Sequence, residues 1–580
     1  MLLKTNLSLS ERIVHFANTT PLATAVCHIK EDGSFETISY KELLEKTLSI
    51  AEALKKYASE GDRIIICLPT GLDYIVTFLG CMFAGIIAVP CMPPLNRESA
   101  MRLNLIIKDS KACLAISNKE ILGAFEKLNW INLLDNQLTK PIYKMLSTVH
   151  RDIKITTNKE RWIAVEDIPL SATDDVQFSF RYEEPVFLQY TSGSTANPRG
   201  VKVSMKNLMA NFDTISYNTG YQGEPLNCLT WLPLYHDMGL IGNTLFALSK
   251  GGAITVMAPY DFLQDPTKWL KNVSKFKANW TGAPNFAFEL VMKKMSEEDT
   301  NKLDLSSLKW LFNGAEPINY NTLQAFLNKF KLDEKVIFPV YGLAETTLMV
   351  SGYKENEKIT TLKIKKGPYR EGKIELFNEG DEGDYVELTS CGKPDPKIHL
   401  EIIDIHTNEM ISEGQVGEIC LDSDSVSSGY WENNKETMQH FSFMRNGVRI
   451  HMLCTEDLGF LYQGELFFTG RKKDTIHIEG RIYYPQDIEK IVKEAHANIR
   501  EGCITAFTVG EDLIIVAEIK DKVAGEEIDN IRTQVFQHFG INPKDIKLIL
   551  SRSILKTTSG KLRRRDMRQR YLDNKLNLVE

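Results

Sequence analysis

The chain lacks several things whose absence narrows what it can do. Its ten cysteines are scattered and form no C-x-x-C pair, so neither a zinc site nor a disulfide framework is indicated. They read as small buried hydrophobes in a reducing compartment. There is no excess of positive charge: 69 basic residues stand against 76 acidic ones, a net charge of −7, which excludes the footprint of a nucleic-acid binder. The motif G-x-x-x-x-G-K-[ST] is missing, which excludes a Walker-type nucleotide loop. No fixed-period repeat and no low-complexity tract is present. Met1 to Ser8 carries no long apolar core of the signal-peptide kind, and the expectation is a cytoplasmic protein. Tyr74 to Leu95 is uncharged and long enough to span a bilayer, but Gly80, Gly85, Pro90, Pro93 and Pro94 interrupt it. It reads as a buried helix ending near Gly85 and a strand, Ile86 to Val89, with no transmembrane segment.

What is present is a long alternation of helical and extended patterns. Ser39 and Glu42 form a capping box ahead of Leu43, Thr47, Ile50 and Leu54 on one helical face. Short apolar runs then alternate with helices as far as about residue 340, predicting an α/β fold with parallel sheets covered by helices. The spacing predicts strands at 228–234, 278–283, 308–313 and 336–340 and a helix over 238–249. From Ser351 to Leu388, Lys, Glu, Gly and Asp dominate, predicting a surface excursion. Residues 391–470 read as short strands with Gly turns, a smaller β-rich part. After Gly470-Arg-Lys-Lys-Asp474 the last ~110 residues form a small α+β domain on a polar hinge.

The chain is organised around Tyr190-Thr-Ser-Gly-Ser-Thr-Ala-Asn-Pro-Arg-Gly-Val201. Thr191, Ser192, Gly193, Ser194 and Thr195 place hydroxyls and glycine in one loop, suited to wrap a phosphate, and Arg199 adds a permanent charge. An ordinary Ser/Thr/Gly turn is the alternative. Trp231-Leu-Pro-Leu-Tyr-His-Asp-Met-Gly-Leu-Ile-Gly242 sets His236 beside a strand end, where open α/β sheets bind ligands; a structural histidine is the alternative. Gly314, Ala315, Glu316 and Pro317, and Tyr341 with Gly342, end two further strands and suit a purine ring. Glu345 is a hard oxygen ligand of the kind Mg²⁺ takes with phosphates, or else a capping carboxylate. Asp457 is able to accept from two ribose hydroxyls. Lys556-Thr-Thr-Ser-Gly-Lys561 sets a lysine in a small loop before Arg563, Arg564 and Arg565, which otherwise read as a basic surface tail.

In this order and over almost the whole chain, these motifs resemble the adenylate-forming superfamily of acyl-CoA synthetases, peptide-synthetase adenylation domains and luciferases. The versions Tyr235 to Gly242 and Gly314 to Pro317 are similar to those of the fatty acyl-AMP ligases. The resemblance implies a 1–470 AMP-binding domain of two α/β subdomains plus a β-barrel, and a 471–580 mobile α+β lid. It implies ATP and Mg²⁺, a fatty acid substrate, and an acyl carrier protein or a carrier domain of a polyketide or peptide synthase as acceptor. It makes Lys561, His236 and Glu345 catalytic, Glu345 and Thr191 metal ligands, Lys473 the hinge, and Asp457 and Arg471 ribose contacts. The charged stretch 351–388 falls where these ligases carry an insertion that restrains the lid and disfavours coenzyme A. With an acidic carrier as acceptor, Arg563, Arg564, Arg565, Arg568 and Arg570 are a candidate docking patch, a solvated basic C-terminal helix being the alternative. Glu456, where the family commonly has Gly, Leu555 for Pro and Arg199 for Lys are departures. A fatty acyl-CoA synthetase and a non-catalytic nucleotide- or lipid-binding protein of the same fold are the rival readings.

Overall fold

Apolar four-residue runs between helices leave a strand only one stable place, the middle of a sheet covered on both faces. The computed structural model describes residues 7–94, 97–131, 162–169, 182–190, 198–479, 481–520, 526–556 and 561–579. In it, two such sheets form. The first has seven strands in the order Ile337–Pro339, Trp310–Asn313, Trp280–Ala283, Asn227–Thr230, Ala253–Val256, Thr24–Ile29 and Phe35–Ser39. All neighbours are parallel except the last two, which form an antiparallel pair at the edge. The second has six strands, Trp162–Ala164, Leu114–Ser117, Arg63–Ile66, Ile87–Pro90, Pro185–Tyr190 and Gly200–Ser204, again parallel except for its last pair.

One apolar core runs through both sheets, with Trp269, Trp280 and Trp310 fully buried in it. The described part of the uncharged stretch is core as far as Cys91: Leu72–Phe83 is a buried helix and Ile87–Pro90 a strand. Among the described residues no helix is long and apolar enough to cross a membrane. The Ser39–Glu42 capping box is formed. Eight of the ten cysteines are buried free thiols.

Two expectations are corrected here. The strand predicted to reach 234 stops at Thr230, because Pro233 has no N–H and the Thr230 hydroxyl takes the Leu232 amide instead. The predicted 238–249 helix is widened over Met238–Leu245 and becomes α-helical only at Phe246–Ser249. Asn243 and Thr244 side chains donate back five residues to the Met238 and Gly239 carbonyls, at 3.0 and 2.9 Å, supporting the wide turn. A Cβ on Gly239 would sit 2.5 Å from the Pro233 carbonyl, so this approach requires glycine.

The β-rich part is an antiparallel sheet, His399–Ile403, Gly417–Asp422, Leu453–Tyr462 and Glu465–Arg471, with smaller sheets beside it. The charged excursion carries a hairpin-like pair of strands. Thr361–Lys365 and Tyr385–Thr389 pair antiparallel, and Ile364 and Tyr369 are buried against Phe460, Phe467 and Tyr484. Its alternation hides one apolar face beneath a charged one. After Arg471 a separate core forms around Ile488, Val492, Ile515, Ile531 and Val535, between the helices Pro485–Ala495 and Glu527–Phe539 and the sheet Ile499–Val509, Asp512–Ile519 and Asp545–Ile549.

Candidate active site

The C-terminal ends of the parallel strands open on one cavity of ≈1770 Å³. Backbone groups freed at strand ends and loops built on them make this the usual place for a ligand in such sheets. His236, Asp237, Gly314 to Pro317, Tyr341, Gly342, Glu345, Arg199, Asp457, Arg471, Lys473 and Lys561 all line it. Apart from Asp237, these are sequence-predicted residues, up to 362 positions apart (Arg199 to Lys561), and they share one space. Thr191, Ser192, Gly193, Ser194 and Thr195 lie outside the described residues.

On the wall formed by the seven-stranded sheet, Gly314 to Pro317 turns sharply, with Ala315 at φ 68°, a left-handed conformation that a non-glycine residue seldom adopts. The Phe286 amide donates to Glu316 Oε2 at 3.2 Å. Burial raises the Glu316 carboxyl, and Lys561 pulls it back. Gly342 admits no side chain, since a Cβ would fall 1.7 Å from the Leu348 carbonyl oxygen. Tyr341 ties this wall to the β-rich part. Its hydroxyl donates to Asp457 Oδ2 at 2.9 Å and its ring lies against Phe468.

Asp457 is buried and accepts from Tyr341, with Arg471 Nε 3.5 Å from its other oxygen. Burial raises this carboxyl, and Arg471, Tyr341 and Lys561 oppose the rise. Asp237 goes the other way. Burial alone would raise it, but His236 at 2.8 Å, then Lys561 and the Met238 amide, hold it below the usual carboxylate range. Lys561 is half-buried, and its ammonium is lowered by burial and by Arg471, while Asp237, Asp457 and Glu316 restore it. A cation from the tail thus faces carboxylates from three separate elements.

The far side holds a group that the sequence reading missed. Tyr430 donates to Glu345 Oε1 at 2.9 Å, and the Arg199 guanidinium lies over the Tyr430 ring, 5.4 Å from its centre. Arg199 also donates to His440 Nε2 at 3.0 Å and pairs with Glu436 at 3.3 Å. The segment is anchored by the Trp431 amide to the Gly200 carbonyl at 2.7 Å, beside the loop's return strand. Gly429-Tyr430-Trp431 carries no spacing that signals chemistry, so only the contact 231 residues away reveals it. Among the described residues no three His, Cys, Asp or Glu side chains cluster as a metal cage. A Mg²⁺ held between one carboxylate and a ligand's phosphates needs no such cage, and Glu345, half-buried at the cavity wall, fits that use.

The basic patch expected at the C-terminus is partly turned inward. Arg564 makes two bonds to Glu489, at 2.7 and 2.6 Å, and a contact to Asp474. Arg568 donates to the Thr508 carbonyl and Arg563 to Asp566.

A two-sheet α/β body, a β-rich part, a small α+β unit and a cleft closed by a tail lysine define an adenylate-forming enzyme. Comparison with known proteins narrows this. The AMP-binding enzyme family matches residues 13–431, and the Disco-interacting protein 2-like AMP domain matches 473–580. The chain is 33% identical over 563 residues to the medium-chain-fatty-acid–[acyl-carrier-protein] ligase JamA of Moorena producens, covering 94% of this chain and 91% of that one. It is 32% identical over 569 residues to the putative fatty-acid–CoA ligase FadD21 of Mycobacterium tuberculosis, covering 93% of each. The crystal structure of a fatty acyl-adenylate ligase from L. pneumophila, in complex with acyl adenylate and pyrophosphate, superposes with a TM-score of 0.72 at 32% identity, covering 99% of this chain and 97% of that one. The chain belongs to the AMP-binding enzyme family and, within it, to the fatty acyl-AMP ligases.

Proposed function

We propose that the protein joins a fatty acid to ATP and then passes the acyl group to the phosphopantetheine thiol of an acyl carrier protein or carrier domain. In the first step a carboxylate oxygen attacks the α-phosphorus, the bond to the β-phosphate bridging oxygen breaks, and pyrophosphate leaves. Both reactants are anionic, so the site must neutralise charge and hold them in line. Lys561 contacts the carboxylate and the α-phosphate. His236 orients the carboxylate, while Met238, Gly242, Phe312, Val340, Leu348 and Met349 offer an apolar wall to the chain. Gly314 to Pro317, Tyr341 and Gly342 bound the adenine, Asp457 and Arg471 hold the ribose, and Thr191 to Thr195 with Arg199 receive the outer phosphates. Mg²⁺, held through Glu345 and Thr191, supplies charge neutralisation on the phosphates when bound. In the second step the thiol sulfur attacks the acyl carbon, AMP leaves, and the thiol proton passes to solvent.

The observation that supports this most is Lys561, delivered by the tail into a cavity where Asp237, Asp457 and Glu316 face it. Rotation at Lys473, at the boundary 470/471, withdraws it between the steps. The acceptor follows the printed name of JamA. The excursion supports it too: Arg370 donates to the His538 carbonyl at 2.9 Å and lies over Tyr483 and Phe539, and Tyr369 stacks on Tyr484. These contacts tie the lid to the large part. The test is mass analysis of products from a fatty acid panel with ATP, alone, with coenzyme A, and with a phosphopantetheinylated carrier protein. Acyl-adenylate alone and acyl-carrier with the third set is the expected result. Acyl-CoA release favours the synthetase reading, and no pyrophosphate in any set favours a non-catalytic binder.

A further inference from the structure

Residues 471–474 join the large part to the tail unit, and each carries an ion pair. Arg471 meets Asp457 at 3.5 Å, Lys472 meets Glu418 at 2.8 Å, Lys473 meets Glu456, and Asp474 meets Arg564 at 3.5 Å. The first three partners belong to two neighbouring strands of the β-rich sheet, and the fourth to the tail unit's own helix Arg564–Leu572. Within 471–474, the Lys473–Glu456 pair is the last that ties the linker to the large part, since the Asp474 partner belongs to the tail unit.

Glu456 is a costly residue to place there. Its φ is 62°, in the left-handed region that favours glycine, at an irregularity in the pairing of Gly417–Asp422 with Leu453–Tyr462. The backbone around it is fully used: its amide donates to Glu418 Oε1 at 3.0 Å, and its carbonyl accepts from the Lys472 amide at 2.8 Å. Glycine would satisfy both bonds without the strain. What glutamate adds is the carboxylate, and that carboxylate reaches Lys473. The next residue, Asp457, faces Lys561 and the ribose position.

We infer that Glu456 is a positioning residue: it latches Lys473 and so holds the tail unit in the arrangement that keeps Lys561 at the cavity. This rests on the two-step reading above. The latch favours adenylate formation and opposes the rotation needed for transfer, because breaking one partly exposed ion pair is part of the cost of turning the linker. A ligand-driven turn is a population shift, so removing the latch moves the two half-reactions in opposite directions.

The experiment uses the full chain with Glu456→Gln, Glu456→Gly, Lys473→Glu and the exchange Glu456→Lys with Lys473→Glu. Single-turnover acyl-adenylate formation and transfer from preformed acyl-adenylate to a carrier thiol are measured separately. Tryptic cleavage at 471–473 is followed in the Gln and Gly variants. The expected result is about a three- to fivefold slower first step, an equal or faster second step, and faster cleavage. Glu456→Gly melts no lower than the parent, since its backbone strain is gone, and the exchanged pair recovers at least half of what Lys473→Glu loses. A fall in both steps together, no change in either, or no recovery in the exchanged pair overturns the proposal. If the parent makes no acyl-adenylate, the two-step reading fails, while the cleavage rates alone still decide whether the latch exists.

Discussion

The two sides of the cleft are held together by different forces. On the large side an apolar core runs from Leu9 to Tyr430, with three tryptophans fully buried. The tail unit has its own small core and meets the large side through charges, ring faces, single hydrogen bonds and one small apolar cluster, in which Tyr484 and Ile482 pack with Phe460 and Phe467. Buried apolar area gives roughly 25 cal/mol per Å² and is lost in full when a core opens. A partly exposed ion pair is worth about 0–1 kcal/mol, because water replaces much of it. Apart from the Tyr484 cluster, the tail unit is therefore attached by contacts that exchange with water, as the proposed turn between steps would require, and the walls of the site by contacts that do not.

Four experiments break or sharpen this contrast. The largest effect belongs to Lys561→Ala, which removes the tail cation that faces Asp237, Asp457 and Glu316. Acyl-adenylate formation should fall by about a hundredfold or more, with nucleotide affinity changed little, as read by pyrophosphate release and by calorimetry. Unchanged turnover would end its assigned role. Next is Trp280→Ala on the rigid side, where a buried aromatic truncation costs about 3–5 kcal/mol. All seven tryptophans precede residue 432, so fluorescence-detected denaturation reports that side alone. A loss under 1 kcal/mol (on the order of a surface change) contradicts the packing account.

Third is Tyr430→Phe, which takes one hydrogen bond from Glu345 and one polar contact from Arg199. A bond to a charged group is worth about 1.5–3 kcal/mol. The Mg²⁺ concentration for half-maximal rate should rise roughly tenfold on that scale while the protein's melting stays close to the parent's. The smallest concerns Asp487, at the seam between tail unit and excursion, where burial pushes the carboxyl up to about 6 against the pull of Lys490, Lys366 and Arg370. A raised carboxyl contributes stability that is complete below its unfolded pKa and lost as pH rises through about 6. The lid's attachment should weaken across that window, and Asp487→Asn should abolish the dependence. Hydrogen exchange in the Pro485–Ala495 helix, measured on both sides of the window, checks it; identical profiles in parent and variant refute it.

Much of this molecule was legible in its residues. Apolar runs of strand length bounded by glycine and proline have only a covered sheet to occupy, so the α/β class and most element positions follow from periodicity. The Ser39–Glu42 cap and the buried helix and strand within 74–90 were readable for the same local reason. Motif order pointed to the family. Tertiary structure alone decided what distance in sequence conceals. Tyr430, Glu436 and His440 gain meaning only where they meet Arg199. The excursion's charged texture hid the apolar face on which Ile364 and Tyr369 are buried. Arg564 looked like part of a surface patch until Glu489 and Asp474 closed on it. Local order is written in neighbouring side chains, whereas a charge takes its role from whichever opposite charge the fold brings near.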